Sequence, residues 1–457
     1  MRYVSTRGQA PVLNFEQAML SGLARDGGLY LPETVPAFSG LGELDGLSYQ
    51  DVAFRVVRPF TGDSFTDDEL RGAIDRAYDR ISHAAKAPLV QLAPGHHLLE
   101  LFHGPTLAFK DFAMQLIAQL FEIALKRSGQ RITIVGATSG DTGSAAIEAF
   151  RGIDNVDVFI MFPHGRVSEV QRRQMTTPDA ENVHALAVTG HFDDCQARLK
   201  DLFNDHVFRD QVGLAGVNSI NWARVVAQIV YYFTAAASLG MRPMDFTVPT
   251  GNFGDIFAGS IARAMGVPIR RLIVATNQND ILHRALSSGE YRVGTVEPSI
   301  SPSMDIQVSS NFERALYWAY GGDAAAITQL MDELKAGGFS ISQGALEALR
   351  EQYLSGRVSE EETIAMIRTV REETGQVLCP HSAVGVAVAR KHLEPGIPMV
   401  TLATAHAAKF PDAVERAVGL RPALPPHMDG LFDLPERVTR VENDAEALKS
   451  LILERRT

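Results

Sequence analysis

Cysteine is nearly absent from this chain of 457 residues. The two that occur, Cys195 and Cys379, form no CxxC pair, which excludes a disulfide framework and a cysteine-rich metal site. Two ordinary thiols in a reducing compartment are expected. No run of 18 apolar residues is present, so no membrane-spanning helix is expected. The opening residues lack a basic stretch followed by an apolar one, and an untargeted, cytoplasmic protein is the reading. Positive charge is also scarce: 43 Lys and Arg stand against 54 Asp and Glu, a net charge of −11. That balance argues against a general nucleic-acid or anionic-membrane surface. It leaves room for an anionic small ligand, which local N–H groups and one or two cations can hold. Repeats and low-complexity linkers are missing as well.

What is present is an ordinary globular composition, 46% hydrophobic and 21% charged, in a chain long enough for two or three domains. Residues 1–95 read mainly as helix and loop, with helical spacing at Phe15–Leu23 and Tyr49–Val57 and a turn at Asp26–Pro32 leading into a short extended piece. The character changes near Leu98. Phe112, Leu116, Leu120 and Ala124 recur at four-residue steps and predict an amphipathic helix over 111–127. Strand 131–137, turn 138–143, helix 144–150 and strand 156–162 make a βαβ unit, which implies a parallel sheet. The pattern returns as strand 246–250, glycine loop 251–255, helix 256–265 and strand 271–276, and a last strand covers 399–404. The stretch 281–372 reads as a largely helical, polar insertion. The expected class is α/β with open parallel sheets, divided as 1–95, 96–240 and 241–457.

In such sheets ligands sit at the carboxyl ends of strands, and four loops fall there or at helix starts. Gly251 and Gly254 allow close backbone approach, and the helix after them offers free N–H groups to a phosphate. The loop lacks the Walker ending and the third glycine of a dinucleotide fingerprint. A tight strand–helix turn without ligand is the alternative. Thr138–Gly143 offers hydroxyls and N–H groups to a carboxylate or phosphate, or simply caps its own helix through Ser139, Asp141 or Thr142. Lys110 lies between Phe109 and Phe112; apolar surroundings lower an amine's pKa and suit it to Schiff-base chemistry, whereas most lysines are surface cations, here beside Asp111. Asn218–Arg224 brings small polar side chains and an arginine to a helix start, fit for a phosphate dianion or for a capped helix with a surface ion pair.

Taken in order, these segments resemble one family. FHGPTLAFKDF (Phe102–Phe112) resembles the pyridoxal-phosphate lysine motif of threonine synthases of the long bacterial and fungal type. TSGDTG (Thr138–Gly143), VNSINWAR (Val217–Arg224), TGNFGD (Thr250–Asp255) and SPSMDIQVSSNFER (Ser301–Arg314) are similar to the same family in the same order, as are YVSTRG (Tyr3–Gly8), DGGLYLP (Asp26–Pro32) and TAHAAKF (Thr404–Phe410). The resemblance spans nearly the whole chain. It implies two open, mostly parallel α/β domains of the tryptophan-synthase-β-like architecture (fold type II), with an N-terminal helical region and the cofactor in the cleft between them. It implies Lys110 as the catalytic Schiff-base lysine, and Gly251, Asn252, Phe253, Gly254 and Asp255 as the cup for the phosphate of pyridoxal 5′-phosphate. It further implies that Thr404 should face the cofactor's pyridine nitrogen, and that Asp141 stands where shorter relatives carry an asparagine near its ring. By the same resemblance Thr138, Ser139 and Thr142 should meet the substrate's carboxylate or phosphate region, and Asn218, Ser219 and Arg224, with Asn252, should grip its phosphate.

The implied reaction converts O-phosphohomoserine and water to threonine and phosphate, with no metal, in a monomer or homodimer that binds no nucleic acid or membrane. A related phospho-lyase releasing 2-oxobutyrate and ammonia is the nearest alternative. A catalytically silent relative that acts as a binding protein is another, although Lys110 and both phosphate loops are all present. A Rossmann NAD enzyme is disfavoured because no GxGxxG follows a strand.

Overall fold

Side-chain caps set the first helices. In the computed structural model, which describes residues 1–456, Ser48 accepts from the Asp51 N–H to start the helix Tyr49–Thr61. Thr66 and Glu69 close a capping box at the head of Asp67–Tyr78. The faces carrying Val52, Val56 and Phe60, and Leu70, Ile74 and Ala77, are buried. They pack on the helices Trp222–Ser238 and Lys110–Ser128, respectively. Ahead of them, Tyr3–Ser5 pairs antiparallel with Tyr30–Pro32. The N-terminal part is thus a helical layer wrapped on the rest, as the spacing predicts.

Two sheets follow. The larger runs, edge to edge, Tyr353–Arg357, Ile269–Thr276, Met244–Pro249, Met399–Ala403, His96–Glu100 and Leu89–Ala93. All neighbours are parallel except the last pair. The smaller runs Thr439–Val441, Val183–Val188, Val156–Pro163, Ile132–Ala137 and Leu214–Ala215, all parallel. Val156–Pro163 is buried along its whole length, as a strand covered on both faces must be.

Several elements differ from the sequence reading. Leu89–Ala93 and His96–Glu100 form a hairpin that completes the larger sheet, so the chain enters that sheet before it builds the smaller one. Tyr353–Arg357, inside the stretch read as helical, is that sheet's other edge. Near the end, Thr439–Val441 returns to the smaller sheet. The glycine-loop helix begins earlier than expected and covers Gly254–Ala264. The helix after Thr138 likewise spans Asp141–Phe150. Among the described residues no helix is long and apolar enough to cross a membrane. None brings together three or more His, Cys, Asp or Glu side chains fit to hold a metal ion.

Candidate active site

Ile132–Ala137, Met244–Pro249 and Met399–Ala403 lead at their carboxyl ends into segments 138–143, 250–255 and 404–410; residues of the first two, with Thr404 of the third, line one cavity of about 950 Å³. Every residue singled out from the sequence lines it: Lys110, Thr138, Ser139, Asp141, Thr142, Asn218, Ser219, Arg224, Gly251, Asn252, Phe253, Gly254, Asp255 and Thr404.

Lys110 is the first residue of its helix, and the turn before it is fixed from both sides. The buried Asp111 carboxylate accepts from the Thr106 N–H at 2.8 Å and the Thr106 hydroxyl at 2.6 Å. A Cβ on Gly104 would stand 2.4 Å from Asp111 Oδ2, so only glycine fits there. The Phe109 N–H donates to the Thr404 carbonyl at 2.8 Å and the His406 N–H to the Leu107 carbonyl at 3.0 Å, stapling the turn to the strand end. Lys110 Nζ thereby reaches Asp141 Oδ2 at 3.3 Å, with only 12% of its side chain exposed. Burial pushes its amine below the ordinary lysine range; Asp141 opposes this, and Lys409 and Arg224 add to it.

Asp141 accepts four bonds. Lys409 Nζ (2.8 Å) and Gln171 Nε2 (2.9 Å) reach Oδ1, and Lys110 Nζ and Ser303 Oγ (3.1 Å) reach Oδ2. Burial alone would raise this carboxyl, but Lys409 and Lys110 hold it well below the usual range. His381 completes the cluster. Its Nε2 accepts from the Ser303 N–H at 3.1 Å, and burial brings the ring down to about 4, so it is neutral near pH 7.

The 138–143 turn is held by its own threonine. Thr138 Oγ1 accepts from the N–H groups of Gly140 and Gly143 at 2.9 and 3.0 Å. The residue capping the helix is Gly140, at φ 138°, and Ser139, Asp141 and Thr142 do not cap it. Ser139 and Thr142 line the cavity.

The 251–255 loop is shaped from outside. Ser309 Oγ donates to the Gly251 carbonyl (2.7 Å), and the Asn311 N–H and Nδ2 donate to the Asn252 carbonyl (3.0 and 2.9 Å). Phe253 takes φ 62°, unusual for a bulky residue. Its ring, packed on Phe312 and Tyr353, keeps it there. The first N–H groups of the helix Gly254–Ala264 have no acceptor within it and suit an anion. The Asp255 carboxyl, by contrast, takes the hydroxyls of Tyr231 and Tyr232, and burial raises it to about 7. Arg224 is buried to 2% exposure; among the described residues its Nη1 finds only the Val217 carbonyl at 3.4 Å, and its Nε has no partner. Burial lowers it to about 10. A cation sealed in with spare donors is a receptor for an anion.

Sequence reasoning assigned no role to Lys409, Gln171, Ser303, His381 or Arg314. Lys409 lies in the TAHAAKF segment, and Ser303 and Arg314 in SPSMDIQVSSNFER, and that membership was the signal available. Arg314, fully buried, donates to the carbonyls of Tyr30 and Ile220 and to Asn311 Oδ1. One guanidinium thus ties together DGGLYLP, VNSINWAR and the residues that shape the 251–255 loop. Thr6 and Arg7 of YVSTRG bond Glu313 beside it. The cavity therefore joins a desolvated amine to a helix-start anion cradle and an uncompensated arginine. That donor set fits an aldehyde cofactor carrying a phosphate.

Comparison with known proteins agrees with this geometry. Residues 2–78 match the family described as threonine synthase N terminus, 85–405 the pyridoxal-phosphate dependent enzymes, and 382–452 the threonine synthase C-terminal family. A threonine synthase of Pseudomonas aeruginosa is 52% identical over 99% of this chain and 98% of its own. The crystal structure of pyridoxal-phosphate-bound threonine synthase from Brucella melitensis superposes with a TM-score of 0.97 at 54% identity, covering 100% of this chain and 99% of that one. The yeast threonine synthase structure gives 0.94 at 40% identity, covering 99% and 98%. The chain belongs to the threonine synthases, within the pyridoxal-phosphate-dependent enzymes.

Proposed function

We propose that this chain converts O-phosphohomoserine and water to threonine and phosphate, using pyridoxal 5′-phosphate held on Lys110. The carrying observation is that a desolvated amine, Lys110, and a buried arginine, Arg224, that has no counter-ion among the described residues share one cavity.

Once bound, pyridoxal phosphate supplies a sink for negative charge developing on the substrate's carbon chain. The N–H groups of 251–255 would hold the cofactor's phosphate, and Thr404 would stand at its ring nitrogen. Thr138, Ser139 and Thr142 would meet the substrate's carboxylate or phosphate region. Arg224, with Asn218, Ser219 and Asn252, grips the substrate phosphate, which both orients the reacting carbons and stabilises the leaving group. Lys110, whose burial favours the uncharged amine, would take the proton from Cα and then one from Cβ as phosphate departs from Cγ. Water adds at Cβ, and protons return to Cα and Cγ. The setting is cytoplasmic, with a small molecule as the partner and a monomer or homodimer as the unit.

The test is incubation of purified protein with O-phosphohomoserine while phosphate and threonine are both followed. Equal release of the two is expected. Phosphate accompanied by 2-oxobutyrate and ammonia would replace this reading with that of a phospho-lyase. No turnover and no violet absorbance would leave a silent binding relative.

A further inference from the structure

Lys409 is a fully buried lysine with no surface to serve and no place in the cavity lining. It ends the short 3-10 turn Ala407–Lys409. Its ammonium meets Asp141 Oδ1 at 2.8 Å and the Thr106 carbonyl at 2.7 Å. Asp141 is therefore bracketed by two lysines, one on each carboxylate oxygen. Burying a cation here is costly unless the charge itself is needed. A neutral donor would satisfy the Thr106 carbonyl; only a charge can neutralise Asp141.

We propose that Lys409 is a positioning residue for the charge state of Lys110: anchored on one oxygen of Asp141, its cation offsets the carboxylate's charge, so that the lysine on the other oxygen is free to be an uncharged amine. This rests on the reading of Lys110 as the cofactor lysine. With Lys409 present, the set Lys409–Asp141–Lys110 is neutral when Lys110 has given up its proton. Without Lys409, the set is neutral only when Lys110 keeps it. The other charged or titratable groups facing Lys110 are Arg224, which is the same in either case, and His381, which burial keeps neutral near pH 7.

The experiment titrates the protein loaded with pyridoxal 5′-phosphate and records the pH at which its violet absorbance changes, which reports protonation at the Lys110 nitrogen. Lys409→Met should move that pH upward by about 1 to 3 units, the size of effect one close opposite charge has. The acid limb of kcat/KM should move with it, and Lys409→Arg should stay near the unsubstituted protein. Asp141→Asn alone should move the titration downward. Adding Lys409→Met to Asp141→Asn should bring it back up, a comparison that holds even where Lys409→Met alone folds poorly. An unmoved titration in Lys409→Met, or a shared titration point for Asp141→Asn and the double variant, overturns the proposal. Absence of any violet band in the unsubstituted protein overturns the reading of Lys110 instead.

Discussion

Arg224 Nη1 lies 3.4 Å from the Val217 carbonyl, and among the described residues that long contact is the one hydrogen bond made by a guanidinium buried to 2% exposure. A fold has no use for such a group unless an anion arrives. Arg224→Met should therefore leave the thermal midpoint of the ligand-free protein unchanged or raise it, because a desolvated charge gives way to apolar volume. On the proposed assignment it should also lower kcat/KM for phosphohomoserine by about 10- to 100-fold, the worth of charge-assisted hydrogen bonds. Cofactor affinity should change far less. Thermal melts and steady-state kinetics on one preparation check this; a parallel loss of cofactor binding would move Arg224 out of the substrate end.

Lys110→Ala should abolish both the violet absorbance and turnover while leaving the fold intact. The helix it opens is fixed by the Thr106–Asp111 bonds rather than by the lysine. Absorbance spectroscopy and a product assay are sufficient. Retention of either signal would sink the assignment of the cofactor lysine.

Gly251→Ala probes the cradle without touching any charge. A Cβ there would stand 2.7 Å from the Ser303 carbonyl, a backbone atom that cannot swing aside. The segment bearing Ser303 must move, and Ser303 Oγ is a donor to Asp141. Overpacking of this kind costs about 1–3 kcal/mol, so a loss of roughly 10- to 100-fold in cofactor affinity is expected, measured by equilibrium titration with pyridoxal phosphate. An affinity within twofold of the original would show that the loop is not the phosphate cradle.

The loops were legible because their chemistry is local. Glycines and short polar residues after β-branched runs mark strand ends, and Lys110 among phenylalanines marks a desolvated amine. The edge strand Tyr353–Arg357 was not legible, since only Tyr353 of its five residues is buried and no two-residue alternation shows. Leu89–Ala93 and His96–Glu100 hid for a similar reason: the outer strand of that hairpin buries only Leu92. The pairing of Lys409 with Asp141 joins segments from opposite halves of the chain, and no local pattern encodes it. Asp141 itself, left without a settled role by the sequence, becomes intelligible only with a lysine on each oxygen.

Two buried histidines should make stability acid-sensitive well above the carboxylate range. His96, 1% exposed and bonded through Nε2 to the Thr401 hydroxyl at 2.9 Å, is brought down from 6.5 to about 4 by burial, with Arg390 and His97 adding to it. His381, 3% exposed, is brought down to about 4 chiefly by burial. Between pH 6.5 and 4 the unfolded chain takes up these protons and the folded one does not. Acidification through that window therefore favours unfolding, by about 1.4 kcal/mol per pH unit for each histidine. His406, also lowered to about 4, acts in the same sense. Asp141 acts later: its folded carboxyl is held well below 3.8, so its contribution persists until the pH falls beneath that value. Denaturant midpoints measured at pH 7, 6 and 5 should fall progressively. His96→Gln, whose amide can still reach Thr401, should remove one histidine's share of the slope. A flat profile, or a slope indifferent to His96→Gln, would mean that these rings are protonated in the folded protein, and the neutral His381 placed beside Lys110 would fall with them.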